Sequence, residues 1–349
     1  MRTLILAAGR FGPDAAQQIQ AGREPRLDVF ELKAALGADL LDFRDSDASS
    51  LLSVRMARKL GESAALAALG AAVSAGYDAV LTTGEDIGIP LAALLKARRK
   101  APAHTMIAHT LTPWKKRVFF HLVRVQDRID RVLCYATSEE RHIVASLGLP
   151  PAKVRRIAYH ADTQFFRPLP GVAIEPDLVC SAGQLLRDYP CLIEACRELP
   201  VRVRIAAGSP WIAHELRADR ALPANVDWRR YPRHELRDLY ARSAVAVVPI
   251  VENDYQTGIS TILEMMSMGK CVIATRTRGQ TDTIEDGATG VYVPPADPAA
   301  LREAIRRVLA DPAGAARMGA AARRYVEANA NLELFVSRIV ETVRGCARA

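Results

Sequence analysis

The chain reads as an α/β protein made of two doubly wound parallel sheets, and three observations predict this. Apolar strand-like runs alternate with helical patterns through both halves, the alternation that gives parallel sheets covered by helices. Its 349 residues exceed one ordinary core and suit two domains of about 150–200 residues each. Between the halves lies a Pro-rich piece, residues 166–170, which reads as an interdomain linker. The partition predicts domains over residues 1–168 and 169–330, followed by a terminal helical segment over 331–349.

The first half opens on an apolar run at residues 3–8. Gly9 and Arg10 end it too soon for a signal sequence, so it reads as a first strand. Strand and helix patterns then alternate at 28–36, 39–43, a long Ala-rich helical stretch at 54–75, 79–82, 89–95, 105–108, 118–125, 131–135 and 139–147. The second half restarts at 178–182 and runs through 201–207, 236–240 and 244–250. A helical pattern from Ser260 to Gly269 and Lys270 follows, then a β-branched run at 271–275. Helical patterns at 299–309, 315–328 and 332–343 complete it.

Half of the residues are apolar and the charges are mixed, which predicts a globular, cytoplasmic protein. No apolar run approaches the ~20 residues of a membrane span. The six cysteines show no CxxC spacing and the seven histidines no HxxxH pairing, so they read as buried hydrophobes and structural rings, with no metal site. A net charge of +8 and a pI near 9.3 admit nucleic acid, anionic lipid or phosphorylated small molecules as partners. No nucleic-acid module signature is present, which leaves phosphate ligands and membrane surfaces.

The most informative stretch is 247–297. An apolar run ends in a polar loop, Gly258 follows, a helix begins, and a second β-branched run follows that. Strand, glycine loop and helix N-terminus form the unit whose backbone N–H groups and dipole bind anions. Glu264 lies one turn inside the helix. Phosphate at the amides and sugar hydroxyls at the carboxylate point to a nucleotide diphosphate-sugar.

These residues resemble the donor-binding half of family 4 glycosyltransferases of the GT-B type, whose pattern is E-x7-E followed by a helix ending in G-K and a β-branched strand. Glu264 matches the second acid, and Met265 through Ala274 match the continuation. Gln256 stands where the first acid would be, and Gly258 comes one place early. The text of 129–168 also resembles the end of the family's acceptor domain, except at Tyr159, His160 and Ala161. The resemblance implies two Rossmann-like domains facing a cleft, with a C-terminal helix crossing back to the first domain. It also implies a metal-independent transfer with retention from a nucleotide sugar to a hydroxyl on a glycan, lipid or small molecule. UDP is expected ahead of GDP from family frequency, and no cofactor is expected.

On that resemblance the donor set is Gly183, Arg187, Tyr231, Gln256, Thr257, Gly258, Ile259, Ser260, Thr261 and Glu264. Gln184 stands where the family has an Arg, so Arg187 is the expected diphosphate clamp; the plainer alternative is a surface Arg paired with Asp188. Glu264 has its own alternative, a capping box with Thr261. His109, at a strand end, is expected beside donor sugar and acceptor, and Arg187 and His109 form the catalytic pair. Glu85 and Asp86, after another strand, are candidates for acceptor hydroxyls; the alternative is helix capping by Asp86. Asp45 and Asp47 imitate a D-x-D metal motif but read as a turn. Gly9 or Gly22 is expected to replace the family's Gly-Gly turn. The run Trp114, Lys115, Lys116, Arg117, Val118, Phe119, Phe120 and His121 mixes cations with aromatic anchors, as does a helix lying on an anionic membrane's inner face. Two rival readings remain: a GT-B enzyme with epimerase or pseudo-glycosidic coupling chemistry, and a non-catalytic GT-B partner subunit. A nicotinamide dehydrogenase is disfavoured, since no G-x-G-x-x-G follows the first strand.

Overall fold

The computed structural model describes residues 1–208 and 222–347. It divides into two compact units, one of Met1–Ala15, Arg26–Ala158 and Glu333–Ala349, the other of Ala16–Pro25 and Tyr159–Leu332.

In the first unit the strands are β1 (Thr3–Leu6), β2 (Asp39–Leu41), β3 (Ala79–Thr82), β4 (Ala103–Ile107), β5 (Arg131–Cys134) and β6 (Val154–Arg156). They form one parallel sheet in the order β2-β1-β3-β4-β5-β6. Every residue of β1 and β3 is buried, as expected of parallel strands covered on both faces. The terminal helix Leu332–Ala347 packs on this unit. Phe335 lies 6.2 Å from Tyr135 between ring centroids, and Arg155 bonds Thr342 and Glu341.

The second unit holds β7 (Glu175–Ala182), β8 (Arg202–Ala206), β9 (Val226–Arg229), β10 (Ser243–Val248), β11 (Val272–Thr275) and β12 (Gly290–Val293). Its sheet is parallel in the order β12-β11-β10-β7-β8-β9. Leu192, Val203, Val245, Ile273 and Ile305 fill its core. Succession runs one way from β7 and the other way from β10. The carboxyl ends of that neighbouring pair therefore open a crevice, the place where such sheets bind ligands.

Several sequence expectations change. The long helix at 54–75 is broken into Leu52–Ala57, the 3-10 turn Arg58–Leu60 and Glu62–Val73. The break is Gly61, whose φ of 115° no helix contains. Asp45 and Asp47 lie in a short helix, Phe43–Ala48. Asp42 and Asp45 form its capping box and Asp47 pairs with Arg10. The helix expected at 89–95 starts at Glu85, with Gly84 at its N-cap and no side chain capping it, so Asp86 is not a cap. The helix expected at 118–125 is Trp114–Val118 followed by a wider turn, Phe119–Val123, which ends at Arg124 with φ 55°. The expected linker is packed as well. Phe166 is buried, and its carbonyl accepts the Ser267 hydroxyl at 2.5 Å; the division between units falls at Ala158 and Tyr159.

Candidate functional site

The crevice of the second unit is lined by the loops that follow β7 and β10, and these loops are tied together. Arg187 bridges Ile250, and the N–H groups of Asp188 and Val251 donate to the carbonyls of Pro249 and Leu186. Gly183 (φ 104°) and Leu186 (φ 51°) turn the first loop back on itself. That reversal folds the Arg187 side chain inward. Its Nε donates to Ala182 O at 3.0 Å, Nη1 to Leu185 O at 2.8 Å and Nη2 to Thr261 Oγ1 at 3.2 Å.

Only 8% of Arg187 is exposed, and no carboxylate pairs with it among the described residues. Its neighbour Asp188 instead caps the helix Tyr189–Cys196, accepting from Cys191 N at 3.1 Å, which removes the Arg187–Asp188 alternative. Burial draws the guanidinium's pKa down from its ordinary value, the nearby charges of Tyr189, Tyr240 and Glu264 opposing it. Three of its five N–H donors make those bonds, so two remain for something else. A Cβ on Gly183 would collide with the guanidinium, and one on Gly258 would sit 3.4 Å from Nη1. Packing of the cation thus requires a glycine at 183, whereas Gly258 is required by its φ of 84°.

Gly258 is the N-cap of the helix Ile259–Ser267, with φ 84° and no side-chain cap. The first N–H groups of that helix and the Arg187 guanidinium meet at the same end of the crevice, an arrangement suited to an anion. Thr257 and Thr261 are buried while Ser260 is exposed. Asn253 holds the preceding loop: its Oδ1 accepts from Tyr255 N at 3.1 Å and from Thr257 Oγ1 at 3.0 Å. Gln256 donates from Nε2 to Thr283 Oγ1 at 3.3 Å. Its Oε1 is buried with no hydrogen-bond partner.

Since Gly258 is the N-cap of this helix, Glu264 does not form the alternative capping box with Thr261. It lies 8% exposed, accepting from Arg233 Nη1 at 3.1 Å and from the Tyr240 hydroxyl at 3.3 Å. Thr261 instead takes the bond from Arg187. Burial pushes the Glu264 carboxyl up from its usual range, and Arg233 and Tyr240 oppose that rise. Arg233 and Tyr240 had no signal in the sequence beyond a helix pattern. The Tyr231 ring stacks under Arg229, whose guanidinium carbon lies 4.1 Å from its centroid.

In the first unit, the loops after β3 and β4 are joined by Glu85. Its carboxylate, buried at 3% exposure, accepts from His109 N at 2.8 Å, Thr110 N at 3.2 Å and Lys116 Nζ at 2.6 Å. Those bonds occupy both oxygens, so Glu85 braces the loop rather than facing a substrate. Glu139 extends the brace by accepting from Leu111 N; burial pushes its carboxyl up to about 7. Sequence reading missed Glu139, because a lone Glu in a helix carries no motif. His109 is exposed and bonds Thr83 O through Nε2 at 2.9 Å. A carbonyl only accepts, so Nε2 carries a proton in this contact, and Nδ1 is the ring nitrogen left facing away from it. Asp86 is exposed and reaches Lys116 at 3.1 Å. Among the described residues no group of three His, Cys, Asp or Glu side chains could hold a metal ion.

Residues 181–311, which include the whole crevice, match the family model for group 1 glycosyl transferases. This chain is a GT-B glycosyltransferase with a group 1 domain. The glycosyltransferase is 27% identical over 287 residues to a GDP-mannose-dependent α-(1-6)-phosphatidylinositol monomannoside mannosyltransferase of Mycolicibacterium smegmatis, covering 73% of this chain and 74% of that one. It is 26% identical over 281 residues to the α-D-kanosaminyltransferase of Streptomyces kanamyceticus, 74% and 70% of the two chains. Its fold matches the sucrose-phosphate synthase of Thermosynechococcus elongatus with a TM-score of 0.75 at 20% identity, over 99% of both chains. It also matches Anabaena HepE, solved with UDP-glucose, with a TM-score of 0.74 at 15% identity, over 98% and 99%. The helix carrying Glu264 and the loop after β7, read from sequence, fall inside the matched segment.

Proposed function

We propose that this glycosyltransferase moves a sugar from a nucleotide diphosphate-sugar to a hydroxyl acceptor, with retention and without a metal ion carrying the diphosphate's charge. The observation that supports it is Arg187: a buried guanidinium without a carboxylate partner, set against the N-terminus of Ile259–Ser267. A cation left unpaired inside a protein is costly, and a diphosphate held by its two uncommitted donors and the helix amides would compensate it. As the sugar–phosphate bond breaks, charge builds on the departing diphosphate, and these pre-aimed donors stabilise it. Glu264, kept in place by Arg233 and Tyr240, would take the ribose hydroxyls. The partnerless Oε1 of Gln256 would accept a hydroxyl of the donor sugar in place of the family's acid. His109 would meet the acceptor hydroxyl through Nδ1, with Asp86 nearby, and Glu85 would act by holding the His109 loop.

The mannosyltransferase relative is named for GDP-mannose, and HepE was solved with UDP. UDP remains the proposed nucleotide, with GDP the alternative. Peripheral contact with an anionic membrane through Trp114, Lys115, Arg117 and Phe119 belongs to the same reading. Lys116 leaves that set because it is paired with Glu85 and Asp86. No helix among the described residues is long and apolar enough to cross a membrane.

Calorimetric titration with UDP, GDP, ADP and the matching monophosphates tests the donor. One diphosphate should bind at least about tenfold more tightly than its monophosphate, a difference of about 1.4 kcal/mol. Equal affinity for a mono- and a diphosphate would overturn the reading.

A further inference from the structure

The helix Leu52–Ala57 and the turn Arg58–Leu60 turn their apolar side chains the wrong way for a core. Val54 is fully buried and Ala57 packs with it. Leu52, Met56 and Leu60, four residues apart, are 70%, 63% and 84% exposed, and Leu51 is 44% exposed. Arg55 and Lys59 stand exposed between them and make no ion pair among the described residues. The nearby acids are already taken, Asp47 and Glu62 by Arg10. The result is a protruding apolar ridge with positive flanks and no free negative charge.

Its position in the fold adds to this. The ridge follows β2, and the chain leaving β2 is bound to the loop after β1 through Phe43 N to Gly9 O and Phe11 N to Asp42. It therefore rises from the carboxyl edge of the first sheet. The segment from Trp114 also rises from that edge, after β4. Together the two elements hold nine of the sixteen large apolar side chains exposed among the described residues. Such concentration on one unit marks a contact surface.

We propose that Leu51, Leu52, Met56 and Leu60, flanked by Arg55 and Lys59, seat this unit on an anionic lipid surface. The apolar ridge enters the acyl boundary while the two cations meet lipid phosphates. This rests on the membrane contact proposed for Trp114–Phe119 and adds a second, separate element to it. It also narrows the acceptor to one presented at a membrane, beside the His109 loop.

The test is co-sedimentation of the full chain with vesicles of phosphatidylcholine alone and of equal parts phosphatidylcholine and phosphatidylglycerol. Wild type should prefer the anionic vesicles and lose that preference in high salt. The variant Leu52→Ser/Met56→Ser/Leu60→Ser should bind both vesicles at least about tenfold more weakly. The variant Arg55→Ser/Lys59→Ser should lose about thirtyfold on anionic vesicles only, from about 1 kcal/mol per cation. All changes are at exposed positions, and unchanged melting temperatures show that each variant is folded. A third variant, Trp114→Ser/Lys115→Ser/Arg117→Ser, separates the two elements. If it loses binding while the ridge variants sediment like wild type, the ridge proposal is wrong and the first contact stands. If wild type does not bind anionic vesicles, both fall. If the ridge variant converts a dimer in solution to a monomer, the ridge is covered by a second copy, and the lipid proposal is overturned.

Discussion

Arg187→Ala should separate stability from function in this protein. The side chain donates three internal hydrogen bonds, to Ala182 O, Leu185 O and Thr261 Oγ1, each worth about 1 kcal/mol. Against them stands the desolvation of a guanidinium that is 8% exposed and has no carboxylate partner, a cost of several kcal/mol. The two largely offset, so without ligand the variant should unfold within about 2 kcal/mol of wild type. Turnover should fall by about 10²–10³-fold, the scale for removing one donor aimed at developing charge. Inhibition by nucleoside diphosphate should weaken far more than inhibition by monophosphate. Arg187→Lys should recover only part, because an ammonium cannot grip two oxygens as a planar fork does. Steady-state kinetics with competing mono- and diphosphates, alongside urea unfolding, read out each part. Near-normal turnover in the alanine variant would mean that Arg187 is not the diphosphate clamp, as would an equal loss of mono- and diphosphate binding.

Glu264→Gln should weaken nucleotide binding by about 1–3 kcal/mol in calorimetry; unchanged affinity would mean the carboxylate serves only to hold Arg233. Lys116→Met would leave the buried Glu85 carboxylate without its cation and should cost about 3 kcal/mol in urea unfolding, loosening the His109 loop. His104 is fully buried between Thr82 and the Arg128 carbonyl, and burial lowers its pKa from 6.5 to about 4. Its contribution is therefore complete above about pH 6.5 and is lost as pH falls toward 4, by about 3 kcal/mol in all. Urea unfolding of wild type and His104→Gln across that window should show the variant's stability falling less steeply; parallel slopes would contradict this.

The fold was legible because parallel strands buried on both faces are short β-branched runs that alternation exposes, as at 79–82 and 272–275. Boundaries failed where one residue's backbone overrode a helical composition. Gly61 splits the Ala-rich stretch, and Arg124 ends the segment after Trp114 with a left-handed turn. That Gly258, Thr261 and Glu264 share the head of one helix was legible because helix termini and spacing carry that signal. The partners that fix their chemistry were not, since Arg233 and Tyr240 reach Glu264 from another helix and only folding brings them together. Lys116 was misread for the same reason. A cation in a basic run looks solvated until its carboxylate, Glu85, arrives from a distant strand end.

The proposed function puts a diphosphate between Arg187 and the N-terminus of Ile259–Ser267. A crystal structure with the tightest-binding nucleoside diphosphate tests it directly. Phosphate oxygens should lie within hydrogen-bond distance of the Arg187 guanidinium and of the backbone N–H groups at 258–260, with the ribose at Glu264. A nucleotide bound with its phosphates away from Arg187, or a guanidinium that keeps only its bonds to Ala182, Leu185 and Thr261, would contradict it.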